Sequence, residues 1–206
     1  MSSAAAVAVY EANAAAMTPR CDALRSEDLY APVRRFIPET PCKVVDIGTA
    51  TGRDARWFAD MGHRMTAVEP AAAFLSVARG TDDRVVWMQD ALPDLARLRR
   101  QGDRFDHLNV VAVWHHLAPP ERSSAVAALT AVAEPGAALV SSLRHGPLPA
   151  GMPAHPVSAD QTATLFRDAG FAEVLRVDAP SLQETNRAAG VTWTWLVLRA
   201  AWEEMR

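Results

Sequence analysis

Three acidic residues stand at or just beyond the ends of short apolar runs. Asp46 lies in Lys43–Ile47 (KVVDI), Glu69 follows Arg64–Val68 (RMTAV), and Asp90 follows Arg84–Met88 (RVVWM) after Gln89. An ionised carboxylate accepts hydrogen bonds through two oxygens and donates none, so such acids suit ligand hydroxyls or a nearby cation. Directly after Asp46 comes Gly48-Thr49-Ala50-Thr51-Gly52. A turn of small residues between a strand and a helix lets a ligand approach the backbone and meet helix N-terminal N–H groups. A dinucleotide fingerprint, G-x-G-x-x-G, would place glycines where Gly48, Ala50 and Arg53 stand, and two of the three fail. The pattern acid-x-G-x-G-x-G reads Asp46, Gly48, Ala50, Gly52, with only its middle glycine replaced.

A second group follows the fourth apolar run. Val110-Val111-Ala112-Val113-Trp114-His115-His116 puts two imidazoles beside a tryptophan, and histidine titrates near neutral pH. Two readings stand for His115 and His116: general base, or a ring that caps backbone groups or packs on Trp114. Ser141-Ser142-Leu143-Arg144-His145 ends the fifth run. Arg144 and His145 suit a substrate carboxylate or phenolate, and Arg144 also suits organising the proline-rich loop after it. His115 and His145 are thus the candidate catalytic residues, with Trp114, His116, Arg144 and Tyr10 as candidates for substrate contact. Trp57 and Trp87 read as core, and Trp193 and Trp195 share one strand face by the period of two.

These residues need a scaffold, and the chain supplies an alternating one. The runs at 43–47, 64–68, 84–88, 105–113 and 138–143 read as strands. Helical patterns lie between them at 53–61, 71–79, 92–100 and 119–133. The alternation predicts an α/β, doubly wound, Rossmann-like sheet of seven mostly parallel strands, with strand C-termini on one edge. Residues 171–177 and 191–200 read as two further strands with a polar loop between them, so the last strand is expected antiparallel. His145–Pro156 reads as a loop, and Ser158-Ala-Asp-Gln161 as a capping box. Residues 1–41 read as a mostly helical segment broken at Pro19, Pro32 and Pro38.

Composition narrows the classes. The chain has 206 residues, is 50% hydrophobic and carries a net charge of −3. One domain over residues 1–206 is expected, without long disorder. Every basic residue except Lys43 is an arginine, and a pI near 6.1 argues against a nucleic-acid binder. No apolar run is long enough for a membrane span. Cys21 and Cys42 form no metal or redox pair, so no metal site and a reduced, cytoplasmic setting are expected. The alanine-rich N-terminus lacks the basic start of a targeting signal.

Over residues 42–145 the sequence resembles the class I S-adenosylmethionine-dependent methyltransferases of the bacterial small-molecule type. The resemblance rests on the Gly48–Gly52 loop and the three acids in register. It implies S-adenosylmethionine as cofactor, with Asp46 near the methionine end, Glu69 on the ribose hydroxyls and Asp90 on the adenine amino group. Gly48, Thr49, Ala50, Gly52, Pro70, Ala91 and Val111 complete the implied cofactor contacts. The segment 1–41 is implied to be a lid. An Asn/Asp-Pro-Pro-Tyr-like tetrapeptide, a catechol-type Mg²⁺ carboxylate set and paired arginine-type glutamates are all missing. A chain the size of the core fold, with no added domain, then implies a small-molecule acceptor. The acceptor atom and the oligomeric state are not encoded in any motif. Two alternatives stay open: a non-catalytic S-adenosylmethionine binder and an NAD-type oxidoreductase, which Ala50 and Arg53 disfavour.

Overall fold

Alanine has the highest intrinsic helix propensity, and the chain starts on an alanine-rich helix. The computed structural model describes residues 3–148 and 151–202. Met1, at the start of the alanine-rich segment, and Pro149, in the proline-rich stretch, lie outside the described residues. Helix α1 (Ser3–Asp22) is followed by α2 (Ser26–Leu29) and a 3-10 turn at Ala31–Phe36. The alternating part then runs β1 (Lys43–Ile47), α3 (Arg53–Asp60), β2 (Arg64–Val68), α4 (Ala72–Ala78), β3 (Val85–Met88), α5 (Ala96–Gln101), β4 (Phe105–Val111), α6 (Arg122–Val132) and β5 (Ala133–His145). It closes with α7 (Ala159–Asp168), β6 (Phe171–Pro180), α8 (Glu184–Ala188) and β7 (Thr192–Ala200).

The seven strands form one sheet in the order β3-β2-β1-β4-β5-β7-β6. The first five are parallel, and β7 runs antiparallel to both β5 and β6. Strand order reverses between β1 and β4, the place where open α/β sheets hold ligands. Alternation along β1 explains the two covering layers. Val45 and Ile47 pack with Leu98, Leu129 and Phe166 of α5, α6 and α7, whereas Val44 packs with Ala55 and Phe58 of α3 and with Tyr30 and Val33.

Several boundaries differ from the sequence expectation. Helix α1 continues through Pro19. That proline sits in the last turn, where its missing N–H and its ring disturb only the end of the helix. Helix α5 starts at Ala96 rather than Leu92, because Leu95 is left-handed (φ 45) and the Asp90 carboxylate accepts the backbone N–H groups of Arg97 and Leu98. Strand β5 begins at Ala133, not residue 138: Ala133 pairs with Phe105 and Ala138 with His107, so Pro135-Gly136 is taken up in a bulge. The loop between β6 and β7 contains the short helix α8. The Ser158 cap is formed as expected, its hydroxyl accepting the Gln161 N–H at 3.3 Å.

Candidate functional site

The C-terminal ends of β1, β2, β3 and β4 open onto one cavity of about 520 Å³, roofed by α1. The loop after β1 forms one wall. Gly48 and Thr49 donate their N–H groups to the Val68 carbonyl at 2.8 and 3.1 Å, which folds the loop back over β2. Gly48 has φ 78, and a Cβ there would lie 2.5 Å from Val113 Cγ2, so the position requires glycine. Ala50 adopts φ 50, a glycine-like conformation in a residue with a side chain. Such strain in a non-glycine residue gathers at ligand-binding turns.

The acids converge as expected. Asp46, Glu69 and Asp90 all line the cavity, together with Gly48, Thr49, Ala50, Pro70, Ala91 and Val111. Glu69 is held from both sides: Oε2 accepts the Ala50 N–H at 2.8 Å and Oε1 the Ala71 N–H at 2.9 Å. Burial nevertheless pushes its carboxyl up to about 7. Burial, reinforced by the Asp54 carboxylate, pushes Asp46 up to about 7 as well. Asp90 is committed locally, since Oδ1 accepts from Ala91 N at 2.9 Å while Oδ2 caps α5. Gly52 is absent from the lining. It starts α3 at φ 78, against the Trp87 ring.

The histidines face the other half of the cavity. His115 is buried and lines it, with Nδ1 unpartnered. Burial, then His116 and Arg144, hold its pKa well below the ordinary value, so the ring is neutral. His116 Nδ1 lies 2.8 Å from the Pro153 carbonyl and Nε2 lies 3.0 Å from the Tyr10 hydroxyl. A carbonyl only accepts, so Nδ1 carries the proton and Nε2 accepts from Tyr10. Burial raises the Tyr10 hydroxyl to about 12, which keeps it a donor.

Besides Gly52, two expected site residues are elsewhere. Trp114 is fully buried and packs on Phe166 at 5.5 Å, as part of the core between sheet and helices. The single 3-10 turn at Trp114–His116 turns it inward while the two histidines face the cavity. His145 does not line the cavity; its Nε2 meets Thr194 Oγ1 at 2.9 Å, and Thr194 donates to Asp178 at 2.6 Å, an arrangement that ties β5, β7 and β6. Arg144 does line the cavity, and it also donates to the Pro147 carbonyl at 2.8 Å, which ties it to the proline-rich loop. Tyr30 packs in the core on Trp57. Trp57 and Trp87 are half-buried rather than fully enclosed.

The sequence reading missed Arg20 and Cys21 of α1, Asn186 of α8, and the cavity role of Trp193 and Trp195. The shared face of the two tryptophans was the one available signal. Helix α1 is fastened along its length. Ser3 donates to the Glu121 carboxylate through its N–H and its hydroxyl, the latter at 2.9 Å, and Glu11 accepts the Ala73 N–H at 3.1 Å. At the far end Asp22 accepts from Thr51 at 2.6 Å, and Arg53 donates to the Cys21 carbonyl at 2.6 Å.

This sheet order, with an antiparallel seventh strand and acids at successive strand tips, defines the Rossmann-like fold of the class I S-adenosylmethionine-dependent methyltransferases. Residues 44–136, a little under half of the chain, match the model of the methyltransferase domain family. An uncharacterized protein of Synechococcus sp. is 33% identical over 105 residues, covering 47% of this chain and 24% of that relative, so the chain matches about a quarter of the relative's length. Among solved structures, the Burkholderia thailandensis 1,6-didemethyltoxoflavin-N1-methyltransferase, with bound 1,6-didemethyltoxoflavin and S-adenosylhomocysteine, is similar at TM-score 0.65 and 22% identity, covering 86% of this chain and 76% of that one. The magnesium protoporphyrin IX methyltransferase of Synechocystis, with bound S-adenosylmethionine, gives TM-score 0.64 and 14% identity, over 85% and 77% of the chains. A [4+2]-cyclase gives TM-score 0.64 and 19% identity, over 86% and 81%. At these identities the structural likeness concerns the fold.

Proposed function

We propose that this chain is an S-adenosylmethionine-dependent methyltransferase that acts on a small-molecule acceptor, one domain with residues 1–41 as its lid. The observation that carries the reading is the convergence of Asp46, Glu69 and Asp90 with residues Gly48 to Thr51 of the loop on one roofed cavity. The donor set fits the cofactor. Each Glu69 oxygen accepts one backbone N–H and keeps a further lone pair, so the pair can receive two ribose hydroxyls. Asp46, on the cavity wall at the end of β1, is assigned to the methionine end, as the resemblance implies. Asp90 keeps a lone pair on Oδ1 for the adenine amino group. When bound, the cofactor supplies a methyl group on a positively charged sulfur.

The chain's own residues would do the rest. His115, neutral and on the cavity wall, is the ring we assign to take a proton from the acceptor. The roof of α1 excludes water and aligns acceptor with methyl, which is most of what an in-line transfer requires. His116 has its lone pair occupied by Tyr10, so it positions the lid rather than the proton. Among the described residues no helix is long and apolar enough to cross a membrane, and no cluster of His, Cys, Asp and Glu has metal-binding geometry. The acidic balance of the chain favours a metabolite over a nucleic acid, and its two separate thiols favour a cytoplasmic setting.

A second reading, a binder without turnover, is favoured by the low basicity of His115. Mass spectrometry of the purified protein, with calorimetric titration of S-adenosylhomocysteine, tests the proposal. Binding of that molecule in preference to NAD is expected; preference for NAD overturns the reading. Tight binding with no methyl transfer to any of a broad acceptor panel supports the second.

A further inference from the structure

Some arginines in this chain, such as Arg122 and Arg187, donate to backbone carbonyls, and others meet carboxylates: Arg53 pairs with Asp54, Arg84 with Asp60 and Asp82, and Arg176 with Asp160 and Glu173. Two arginines on the cavity do not. Arg20 of α1 and Arg144 of β5 both line it, and among the described residues neither has a carboxylate partner. Both reach toward the same atom, Asn186 Oδ1, at 3.1 and 3.5 Å. Asn186 is buried, and its amide donates to Gln183 Oε1 at 2.8 Å, which aims Oδ1 at the guanidinium pair. Arg144 Nε is buried with no partner at all. Burial, and then the charge of Arg20, push the Arg144 pKa down. Arg20 also donates twice to Gln183 Oε1, at 3.1 and 3.0 Å, so the two like charges meet over neutral oxygens only, and an anion between them would relieve their repulsion.

The surroundings shape the rest of the ligand. Arg144 lies over the Trp193 ring, 5.6 Å from its centre, and Trp193 meets His115 edge-on at 6.0 Å. Leu148 and Met152 complete an apolar wall. We propose that the acceptor is a carboxylic acid with an apolar, planar body, its carboxylate seated between Arg20 and Arg144 and its body against Trp193, beside His115. This rests on the methyltransferase reading above and names the substrate class for the same cavity. Arg144 stands on β5, across β4 from the strands that carry the three acids, so the anion site lies on the acceptor side.

Ligand-observed NMR titration with 1-naphthoate and with its neutral isostere 1-naphthamide tests the proposal, with and without saturating S-adenosylhomocysteine. Naphthoate should bind roughly tenfold tighter than the amide, as charge-assisted hydrogen bonds to a guanidinium fork require. Arg144→Gln and Arg20→Gln should each remove most of that preference and leave affinity for the amide and for S-adenosylhomocysteine in place. Arg20 is exposed on its helix, so its variant decides the matter if Arg144→Gln does not fold. Naphthoate binding no tighter than the amide overturns the proposal. So does an equal loss of S-adenosylhomocysteine affinity in the variants, because the arginines then serve the cofactor. A protein that ignores S-adenosylhomocysteine yet prefers naphthoate counts against the methyltransferase reading and not against the anion site.

Discussion

Glu69 shows how one side chain can hold its surroundings and still keep lone pairs open to a cavity. Its two backbone donors fix the carboxylate plane without exhausting its lone pairs. Glu69→Ala should therefore weaken S-adenosylhomocysteine binding by about 1–3 kcal/mol, the cost of two lost hydrogen bonds near a buried site. Calorimetry measures this, and unchanged affinity would take Glu69 out of the cofactor site. His115→Ala should keep that affinity and slow methyl transfer by about 10²–10⁴-fold if the ring removes a proton. Turnover at the wild-type rate would return the ring to a packing role. At this scale the sequence was most informative where chemistry forces a residue type, as with the three acids and Gly48. It was least informative at Trp114 and His145. Neighbours in sequence point in different directions, and only the packed turn decides that Trp114 goes to the core while His115 goes to the cavity.

Among the elements, α1 roofs the cavity and was the hardest to place. Its composition announces a helix, but nothing in residues 3–22 says which strand tips it will cover. That depends on single bonds to distant residues, such as Ser3 to Glu121 and Asp22 to Thr51. Glu121 also accepts the Ala118 N–H at 2.7 Å, so it fastens the roof and the start of α6 together. Glu121→Ala should speed amide hydrogen exchange in the first turns of α1 and cost about 1 kcal/mol of stability. Exchange mass spectrometry reads the first and urea unfolding the second; unchanged exchange there would mean that packing on Phe74, not the tether, holds the helix. The β/α alternation from β1 to β5 was legible because buried parallel strands must be apolar throughout. The starts of α5 and β5 were not, because a distant carboxylate cap and a bulge set them.

For the molecule as a whole, the raised carboxyls couple the fold and the ligand to pH in opposite directions. Burial raises Asp46 and Glu69 to about 7, whereas free carboxyls in an unfolded chain titrate near about 4. Between those values the folded protein holds more protons than the unfolded one. The unbound protein should thus lose stability as pH rises through that window and show no further loss from these groups above it. Ribose hydroxyls and a sulfonium favour the ionised carboxylates, so cofactor binding should release protons and tighten from about pH 6 to about pH 8. Thermal unfolding with and without S-adenosylmethionine across this range checks both trends. Parallel trends in the two states would show that these acids do not meet the ligand.

The antiparallel seventh strand has one more effect. Parallel strands bring their C-terminal residues to the ligand edge, but β7 arrives there with its first residues, so Trp193 stands opposite Arg144. The hairpin between β6 and β7 and the end of β5 therefore line one part of the cavity and the tips of β1, β2 and β3 another, with α1 and the turn after β4 contributing as well. Changes in residues 181–191 would then reshape the hairpin part of the cavity without touching the part that carries the three acids. Evolution or an engineer could re-tailor one without disturbing the other.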